Sequence, residues 1–254
     1  MKIIDVLNDN ECVNTILSLH ISMYSMMTKI KCIFAKYNIK YTFAHGTLIG
    51  HMRNKNLLLW DDDIDYVIEN DTLIENTNFL LDCYNIGLSI IITPYEMGYT
   101  AKYRITDHKY LKQTPSVKPI VIYKNFKFPD IMADIHDKNY YKHKYAVNEL
   151  DFNDLEQSYI GPLQITTVKN PMYLIRKFIN VNDINDVIIT HIHDTMGSKF
   201  LLKYINENEL PYKLNLTEIN AINNFYKQNY YEIMNQTCLE ITNFVTKKIL
   251  TKTV

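Results

Sequence analysis

The sequence is poor in glycine, carries almost no net charge and has no long apolar run. With 6 glycines, 47% hydrophobic and 22% charged residues, the composition excludes a disordered, collagen-like or coiled-coil chain. A formal net charge of −1 leaves no basic field for a nucleic-acid backbone, so we expect no nucleic-acid partner. No apolar run reaches the roughly 20 residues of a membrane-spanning helix, so we expect no membrane span.

Cysteine is also scarce, with four residues that lie far apart and form no CxxC pair. This spacing predicts reduced, mostly buried thiols rather than a zinc site or a disulfide framework. The N-terminus reaches a polar cluster at residues 8–11 almost at once, so we expect no secretory signal peptide. Together these features predict a cytoplasmic protein. The four cysteines are Cys12, Cys32, Cys83 and Cys238.

The hydrophobic pattern predicts one α+β domain over residues 1–254, with a mixed α/β core at 1–140 and a mainly helical part at 141–254. The length of the chain suits a single domain, and no linker or repeat divides it. A capping box at Thr72 and Glu75 is expected to open one of the helices. The predicted helices span 11–37, 46–53, 72–84, 171–178, 183–193 and 217–249, and the strands 41–44, 60–68, 88–92, 99–105, 119–123 and 131–137.

Residues 60–66 carry four carboxylates within five positions. Because side chains alternate along a strand, Asp61, Asp63 and Asp65 are expected to share one face. Hard oxygen ligands at this spacing suit Mg²⁺ or Mn²⁺. A solvated acidic turn is the alternative, and the apolar residues on both sides of the run disfavour it.

A second motif, residues 45–53, precedes the acidic run and is expected at a junction between a strand and a short helix. Gly46 allows a phosphate to approach the backbone there, where a helix N-terminus supplies N–H donors. Thr47 adds a hydroxyl donor and Arg53 a charge-assisted contact. Alone, such a glycine is more often only a turn, but ahead of an acidic strand it indicates half of a phosphoryl-transfer site.

These two motifs together resemble the signature of the LicD family, which includes bacterial phosphocholine transferases and to which fukutin and fukutin-related protein are similar. The matching residues are Gly46-Thr47-Leu48-Ile49-Gly50, then Arg53, then Trp60-Asp61-Asp62-Asp63-Ile64-Asp65. The agreement is dense over residues 41–68 and thinner at 133–135 and 171–174. Leu59 stands where the family usually has proline, and His45 where it usually has a small residue.

The resemblance implies a nucleotidyltransferase fold related to polymerase-β-like enzymes, with an Asp-x-Asp strand and a third carboxylate on a neighbouring strand. Asp63 and Asp65 match the Asp-x-Asp pair, and Asp61 is expected to be an additional metal ligand. For the third carboxylate, which would serve as a metal ligand and a catalytic group, Asp134 is favoured and Asp130 is the alternative.

The resemblance further implies a phosphotransferase dependent on Mg²⁺ or Mn²⁺. It would move a phosphocholine or ribitol-phosphate group from a CDP-activated alcohol to a glycan hydroxyl and release CMP, with catalytic residues Asp63, Asp65 and Asp134. Gly46, Thr47 and Arg53 would orient the donor phosphates. Two alternatives remain: a nucleotidyltransferase acting from an NTP on a sugar phosphate, protein or RNA end, and a non-catalytic binding or assembly protein.

Other histidines and basic residues are weaker candidates for metal or phosphate binding. His136, His191 and His193 are expected to be structural or surface residues, because the two members of a His-x-His pair on a helix diverge by roughly 200°. Lys102 and Arg104 share a face of a predicted strand, where they could neutralise a phosphate or simply form a solvated face.

Overall fold

The computed structural model describes residues 2–69, 75–93, 103–122, 126–145, 150, 152–179, 188–189 and 199–250. Within these ranges the chain forms a six-stranded mixed sheet with helices packed around it, and two smaller two-stranded sheets. This architecture confirms the predicted mixed α/β (α+β) class. None of the helices in the described ranges combines the length and apolarity that crossing a bilayer requires.

The central sheet has the strand order β1-β2-β6-β4-β3-β5. Strand β2 pairs with β6 in parallel and with β1 antiparallel, while β4 pairs antiparallel with both β6 and β3. The acidic strand β2 and its neighbour β6 are therefore covered on both edges. The six strands are β1 (Tyr41–Phe43), β2 (Asp63–Ile68), β3 (Leu88–Ile92), β4 (Tyr103–Asp107), β5 (Ile120–Val121) and β6 (Met132–Asp137).

Helices α1 (Lys2–Asn8) and α2 (Asn10–Lys36) open the chain. The Asp9 side chain caps α2 by accepting hydrogen bonds from the backbone N–H groups of Glu11 and Cys12. The methionines and isoleucines in the second half of α2 are almost fully buried, as the helical spacing over 11–37 predicts. Helix α2 is therefore a central core element.

Helix α3 (His45–Asn54) follows β1 and leads through residues 55–62, here named the connecting loop, into β2. Two buried side chains bind backbone carbonyls of this loop: the Tyr226 hydroxyl donates to Leu57 O at 2.5 Å, and His20 Nε2 lies 3.1 Å from Leu58 O. Because a carbonyl only accepts, His20 Nε2 carries the ring proton. The loop is thereby held from α2 and from the C-terminal helices at once.

Glycine at position 50 is required because α3 lies directly against this loop. A Cβ at Gly50 would stand 2.5 Å from the backbone oxygen of Asn56 and 2.9 Å from the backbone nitrogen of Leu58. Neither backbone atom can move without displacing the loop. Gly50, the later glycine of the second motif, thus permits close packing rather than an unusual dihedral angle.

Helix α4 (Thr77–Asn85) begins later than predicted. Its N-cap is Asn76, whose side chain accepts from the N–H groups of Asn78 and Phe79, so the capping box expected at Thr72 does not open the helix. Thr72 itself lies outside the described residues. The strand expected at 99–105 corresponds to β4, which ends at Asp107, two residues later than predicted. The first four residues of that prediction, 99–102, lie outside the described residues.

The C-terminal part contains more strand than predicted. Helix α5 (Lys138–Tyr145) is followed by a hairpin of β7 (Leu155–Ile160) and β8 (Leu163–Val168), and then by α6 (Pro171–Ile179). The helix expected over 183–193 is wrong at Ile188–Ile189, which form β9 because they pair with β10 (Tyr212–Lys213). The rest of that predicted helix lies outside the described residues.

The long helix predicted over 217–249 is interrupted. Helices α7 (Leu216–Phe225) and α8 (Tyr231–Val245) are joined by a π-helical turn at 226–230, in which Gln228 leaves helical geometry. A second π-helical turn, Thr246–Leu250, follows α8. The first of these turns carries Tyr226 and Tyr230, both buried, towards α2 and the connecting loop.

All four cysteines are free thiols, and three of them are buried. The partly exposed one is Cys32 on α2. The prediction of reduced, mostly buried thiols is therefore confirmed, and the fold is held by packing rather than by covalent crosslinks.

Replacement of Tyr226 by Phe is expected to lower the free energy of unfolding by about 1–3 kcal/mol, because the buried Leu57 carbonyl loses its donor. Urea denaturation followed by circular dichroism measures this change. The matched control is Tyr231→Phe, five residues along the same helical region, where the side chain is 50% exposed and the stability should be nearly unchanged. Equal losses in both variants would contradict the proposed anchoring role.

Candidate functional site

Strands β2 and β6 bring three carboxylates together. Oxygen atoms of Asp63, Asp65 and Asp134 all lie within 4.8 Å of one another. Parallel pairing places Asp65 in register with Asp134, and the alternation along β2 places Asp63 on the same face as Asp65. The three residues predicted as the catalytic carboxylates therefore form one cluster, here named the carboxylate cluster.

Asp130, the alternative third carboxylate, lies elsewhere. It precedes the first residue of β6, Met132, so strand alternation does not extend to it. Its carboxylate pairs with Lys112 at 2.8 Å and lines a separate cavity of about 860 Å³ beside Ser18 and other residues of α2. The geometry thus groups Asp134, and not Asp130, with the acidic strand.

Arg104 on β4 holds Asp134 through two parallel hydrogen bonds. Arg104 Nε donates to Asp134 Oδ1 at 2.7 Å and Nη2 donates to Oδ2 at 3.2 Å. The two residues are opposite one another in the β4–β6 register, and both are buried. Lys102 and Arg104 were expected to face a phosphate or solvent. Arg104 instead binds a carboxylate, and Lys102 lies outside the described residues.

Asp61 packs directly against the backbone of Gly46. A Cβ at position 46 would stand 2.6 Å and 2.7 Å from the two Asp61 carboxylate oxygens, so a larger residue there would displace Asp61. One of those oxygens, Oδ2, is buried and has no hydrogen-bond partner among the residues that the structure describes. A buried carboxylate oxygen without a donor is costly, and a bound cation would satisfy it.

The second motif is joined to the acidic strand by two hydrogen bonds. The Asp65 N–H donates to Thr47 Oγ1 at 3.0 Å, and the Gly46 N–H donates to the Asp65 carboxylate. Thr47 is fully buried, so the structure places its hydroxyl against β2. The contacts of Gly46 and Thr47 with donor phosphates stay predictions.

Arg53 lies beside Trp60 of the connecting loop. Its guanidinium carbon is 5.5 Å from the centroid of the Trp60 ring, and its Nε donates to Asn54 Oδ1 at 2.9 Å. Burial lowers the pKa of Arg53 to about 10, although the nearby Asp61 carboxylate opposes the shift. Trp60 therefore serves as a packing surface that fixes the cation near Asp61.

The electrostatics of the cluster follow from burial and like charge. Burial, then repulsion from Asp65 and other aspartates, raises the pKa of Asp61 and Asp63 well above the usual value. Burial also raises the pKa of Asp134, although Arg104 opposes the shift. The pKa of Asp65 is lowered, because its hydrogen bonds and neighbouring histidines outweigh the effect of burial.

This donor set fits a divalent cation. It combines several carboxylate oxygens within 4.8 Å of one another with a buried Asp61 oxygen that no described residue contacts by a hydrogen bond. Mg²⁺ and Mn²⁺ prefer such oxygen ligands. The residues present are therefore suited to the metal that the sequence predicts.

Two histidines in the site were missed by the sequence reasoning. His136 is buried, and its Nε2 lies 3.2 Å from Asp65 Oδ1. His45 lies beside it, with ring centroids 5.4 Å apart, and burial lowers the pKa of His45. Because side chains alternate along a strand, His136, two residues after Asp134 on β6, could have been placed on the same face as Asp134. His191 and His193, which were expected to be structural or surface residues, lie outside the described residues.

A family model described as LicD/FKTN/FKRP, nucleotidyltransferase domain, matches residues 38–172, more than half of the chain. This range includes both motifs and every member of the carboxylate cluster. The match confirms the resemblance seen in residues 41–68.

Curated relatives match over shorter stretches. An uncharacterized protein of Rickettsia prowazekii is 30% identical over 79 residues, covering 31% of this chain and 29% of that protein. An uncharacterized protein of Rickettsia typhi is 31% identical over 70 residues, covering 28% and 23%. The lipopolysaccharide cholinephosphotransferase LicD of Haemophilus influenzae is 47% identical over 36 residues, 14% of each chain. The chain thus spans less than a third of the length of these relatives, and no solved structure matches it.

Replacement of Asp63 by Asn is expected to stabilise the metal-free protein at neutral pH. The raised pKa of Asp63 means that the folded state disfavours its charge, and one pKa unit corresponds to about 1.4 kcal/mol of unfolding free energy. Thermal unfolding in the presence of a chelator should show a gain of about 1 kcal/mol or more.

The raised pKa of Asp63 also determines how the stability difference between the wild type and Asp63→Asn changes with pH. As pH rises above the ordinary aspartate pKa, the unfolded wild type loses this proton before the folded state does, so wild-type stability falls and the advantage of Asp63→Asn grows. Below that pKa the advantage should vanish. The control is Asp154→Asn, an exposed carboxylate paired with Lys169, which should change little. A less stable Asp63→Asn protein at neutral pH would refute the repulsion argument.

Proposed function

The chain belongs to the LicD/FKTN/FKRP nucleotidyltransferase-domain family, and from this we propose that it is a metal-dependent phosphotransferase acting on a glycan or related sugar acceptor. The observation that carries the proposal is the convergence of Asp63, Asp65 and Asp134 within the matched range. A non-catalytic member of such a fold would have little reason to keep three mutually repelling carboxylates, two of them buried and one half-buried.

The transferred group is proposed from the relatives. The Haemophilus influenzae relative is named a lipopolysaccharide cholinephosphotransferase. We extend the same class of reaction to this chain: a phospho-alcohol, of the phosphocholine or ribitol-phosphate type, moves from a CDP-activated alcohol to a glycan hydroxyl, and CMP leaves. The transfer forms one phosphoester bond on the acceptor and breaks the bond between the two phosphates of the donor.

The metal would be held by the carboxylate cluster, with Asp61 as an additional ligand. When bound, a divalent cation neutralises charge on the donor diphosphate and on the transferred phosphoryl group. Neutralising the repulsion among these carboxylates would also favour their ionised forms, which the metal-free protein disfavours. The polymerase-β-like version of the fold is part of this proposal.

The protein's own residues would prepare the site for the donor. Arg104 holds the Asp134 carboxylate in one orientation, in which Asp134 can ligate the cation or accept the proton of the attacking hydroxyl. Arg53, positioned on Trp60 beside Asp61, would contact a donor phosphate. The N-terminus of α3, next to Asp65, would add favourable dipole and N–H interactions with the same anion.

Calorimetric titration of CDP-choline, CDP-ribitol and CTP in the presence of Mn²⁺ tests the donor, and release of CMP tests turnover. We expect metal-dependent binding of one CDP-alcohol, and loss of turnover by at least about 100-fold in Asp63→Asn and Asp134→Asn. The matched control is Asp130→Asn, four residues from Asp134 and paired with Lys112, which should retain turnover.

Each other outcome points elsewhere. Binding of CTP alone, with pyrophosphate as product, would replace the proposal with nucleotide transfer from an NTP. Full turnover in Asp63→Asn would refute the assigned site. Absence of both metal and nucleotide binding would favour a non-catalytic binding or assembly protein.

Replacement of Arg104 by Gln is expected to move the acidic limb of the pH–rate profile to higher pH. Arg104 opposes the rise in the pKa of Asp134, so its removal raises that pKa further and turnover requires a higher pH to ionise Asp134. The pH dependence of kcat measures the shift. Arg104→Lys keeps a cation and should restore part of it, whereas an unchanged profile in Arg104→Gln would remove Asp134 from the rate-determining ionisation.

A further inference from the structure

Asp65 belongs to two groups of potential ligands. One is the carboxylate cluster, and the other joins Asp65 to His45 and His136, again with one ligating atom from each residue within 4.8 Å of the others. The second group contains two imidazole nitrogens and one carboxylate oxygen. The two groups therefore differ in chemistry although they share a residue.

We propose that His45, Asp65 and His136 form a second divalent-cation site, which selects transition metals of the Zn²⁺ or Co²⁺ type over Mg²⁺. Imidazole ligands favour late first-row metals, whereas Mg²⁺ takes oxygen ligands almost exclusively. Two imidazoles with one carboxylate also resemble the three-ligand sets of zinc sites that keep a position for a further ligand. The Asp65 carboxylate would lie between this cation and the one in the carboxylate cluster.

The backbone at His45 supports a role for its side chain. His45 has a φ of +39°, in the left-handed region that side chains rarely adopt. Such a conformation is unfavourable in a non-glycine residue and persists where the surroundings impose it. It places the His45 ring 5.4 Å from that of His136 and 5.9 Å from that of Tyr145 on α5.

The second imidazole is equally constrained. His136 is buried on β6, two residues beyond Asp134, and its Nε2 faces Asp65 Oδ1 at 3.2 Å. A cation would take the position of the proton between these two atoms. The alternative is that His136 only orients Asp65 by hydrogen bonding, and a suitable variant separates the two roles.

Cation binding at His45, Asp65 and His136 does not depend on which group the enzyme transfers. The binding can therefore be tested on the full chain without any nucleotide or acceptor. A failure of the CDP-alcohol reaction would leave it standing, and a failure of this site would leave the carboxylate cluster intact.

The experiment titrates Co²⁺ and, separately, Mg²⁺ into the metal-free protein by calorimetry, and records the visible absorption of the bound Co²⁺. The test variants are His45→Gly, which removes the imidazole and suits a positive φ, and His136→Gln, whose amide can still donate a hydrogen bond to Asp65. We expect each to weaken Co²⁺ binding by about tenfold or more and to alter the Co²⁺ spectrum, with Mg²⁺ affinity changed by less than about twofold.

His108→Ala removes a histidine whose ring packs at a tilt against that of Tyr84, outside both ligand groups, and this variant should bind Co²⁺ as the wild type does. Thermal unfolding of the metal-free variants establishes that they fold. Wild-type Co²⁺ affinity and spectrum in His136→Gln would reduce His136 to a positioning residue and overturn the site. Equal loss of Co²⁺ and Mg²⁺ affinity in His45→Gly would overturn it as well, because it would point to a single cation site.

Discussion

Repulsion among the aspartates of one buried strand is the constraint around which the rest of this structure is arranged. Asp61, near the end of the connecting loop, and Asp63, the first residue of β2, resist ionisation in their present surroundings, and only one residue separates them along the chain. Arg104 on β4 pairs with Asp134 on β6, and the Gly46 N–H at the start of α3 donates to the Asp65 carboxylate. The protein therefore keeps carboxylates whose ionisation is unfavourable at a place where a bound cation would favour it, although this arrangement does not stabilise the metal-free fold.

Strand alternation was enough to predict most of the carboxylate cluster. Asp63 and Asp65 had to share a face, whereas Asp134 was expected from the family resemblance, and its position beside Asp65 follows from the parallel pairing that the structure shows. Alternation applied once more along β6 would have added His136. The position of His45 could not be predicted, because its ring direction depends on a positive φ that histidine adopts only when the fold imposes it.

The elements that could be predicted were those in which regular apolar spacing extends over many consecutive residues. Helix α2 and the strands around it followed from apolar spacing, whereas the start of α4 depended on which of two good capping residues, Thr72 or Asn76, the chain uses. Strand β9 has a partner, β10, more than twenty residues away, and a two-residue strand carries no pattern of its own. Pairing between distant short segments is a tertiary effect that overrides local preference.

The connecting loop shows how far the site reaches through the chain. Its two carbonyl anchors, His20 and Tyr226, both lie outside the segment that matches the family, and 169 residues separate Tyr226 from the carbonyl it binds. During synthesis the aspartates therefore leave the ribosome long before Tyr226 exists. The hydrogen bond that anchors the connecting loop at Leu57 can form only after the C-terminal helices have been made and have docked, so the anchoring of the loop that leads into the acidic strand depends on the last part of the polypeptide.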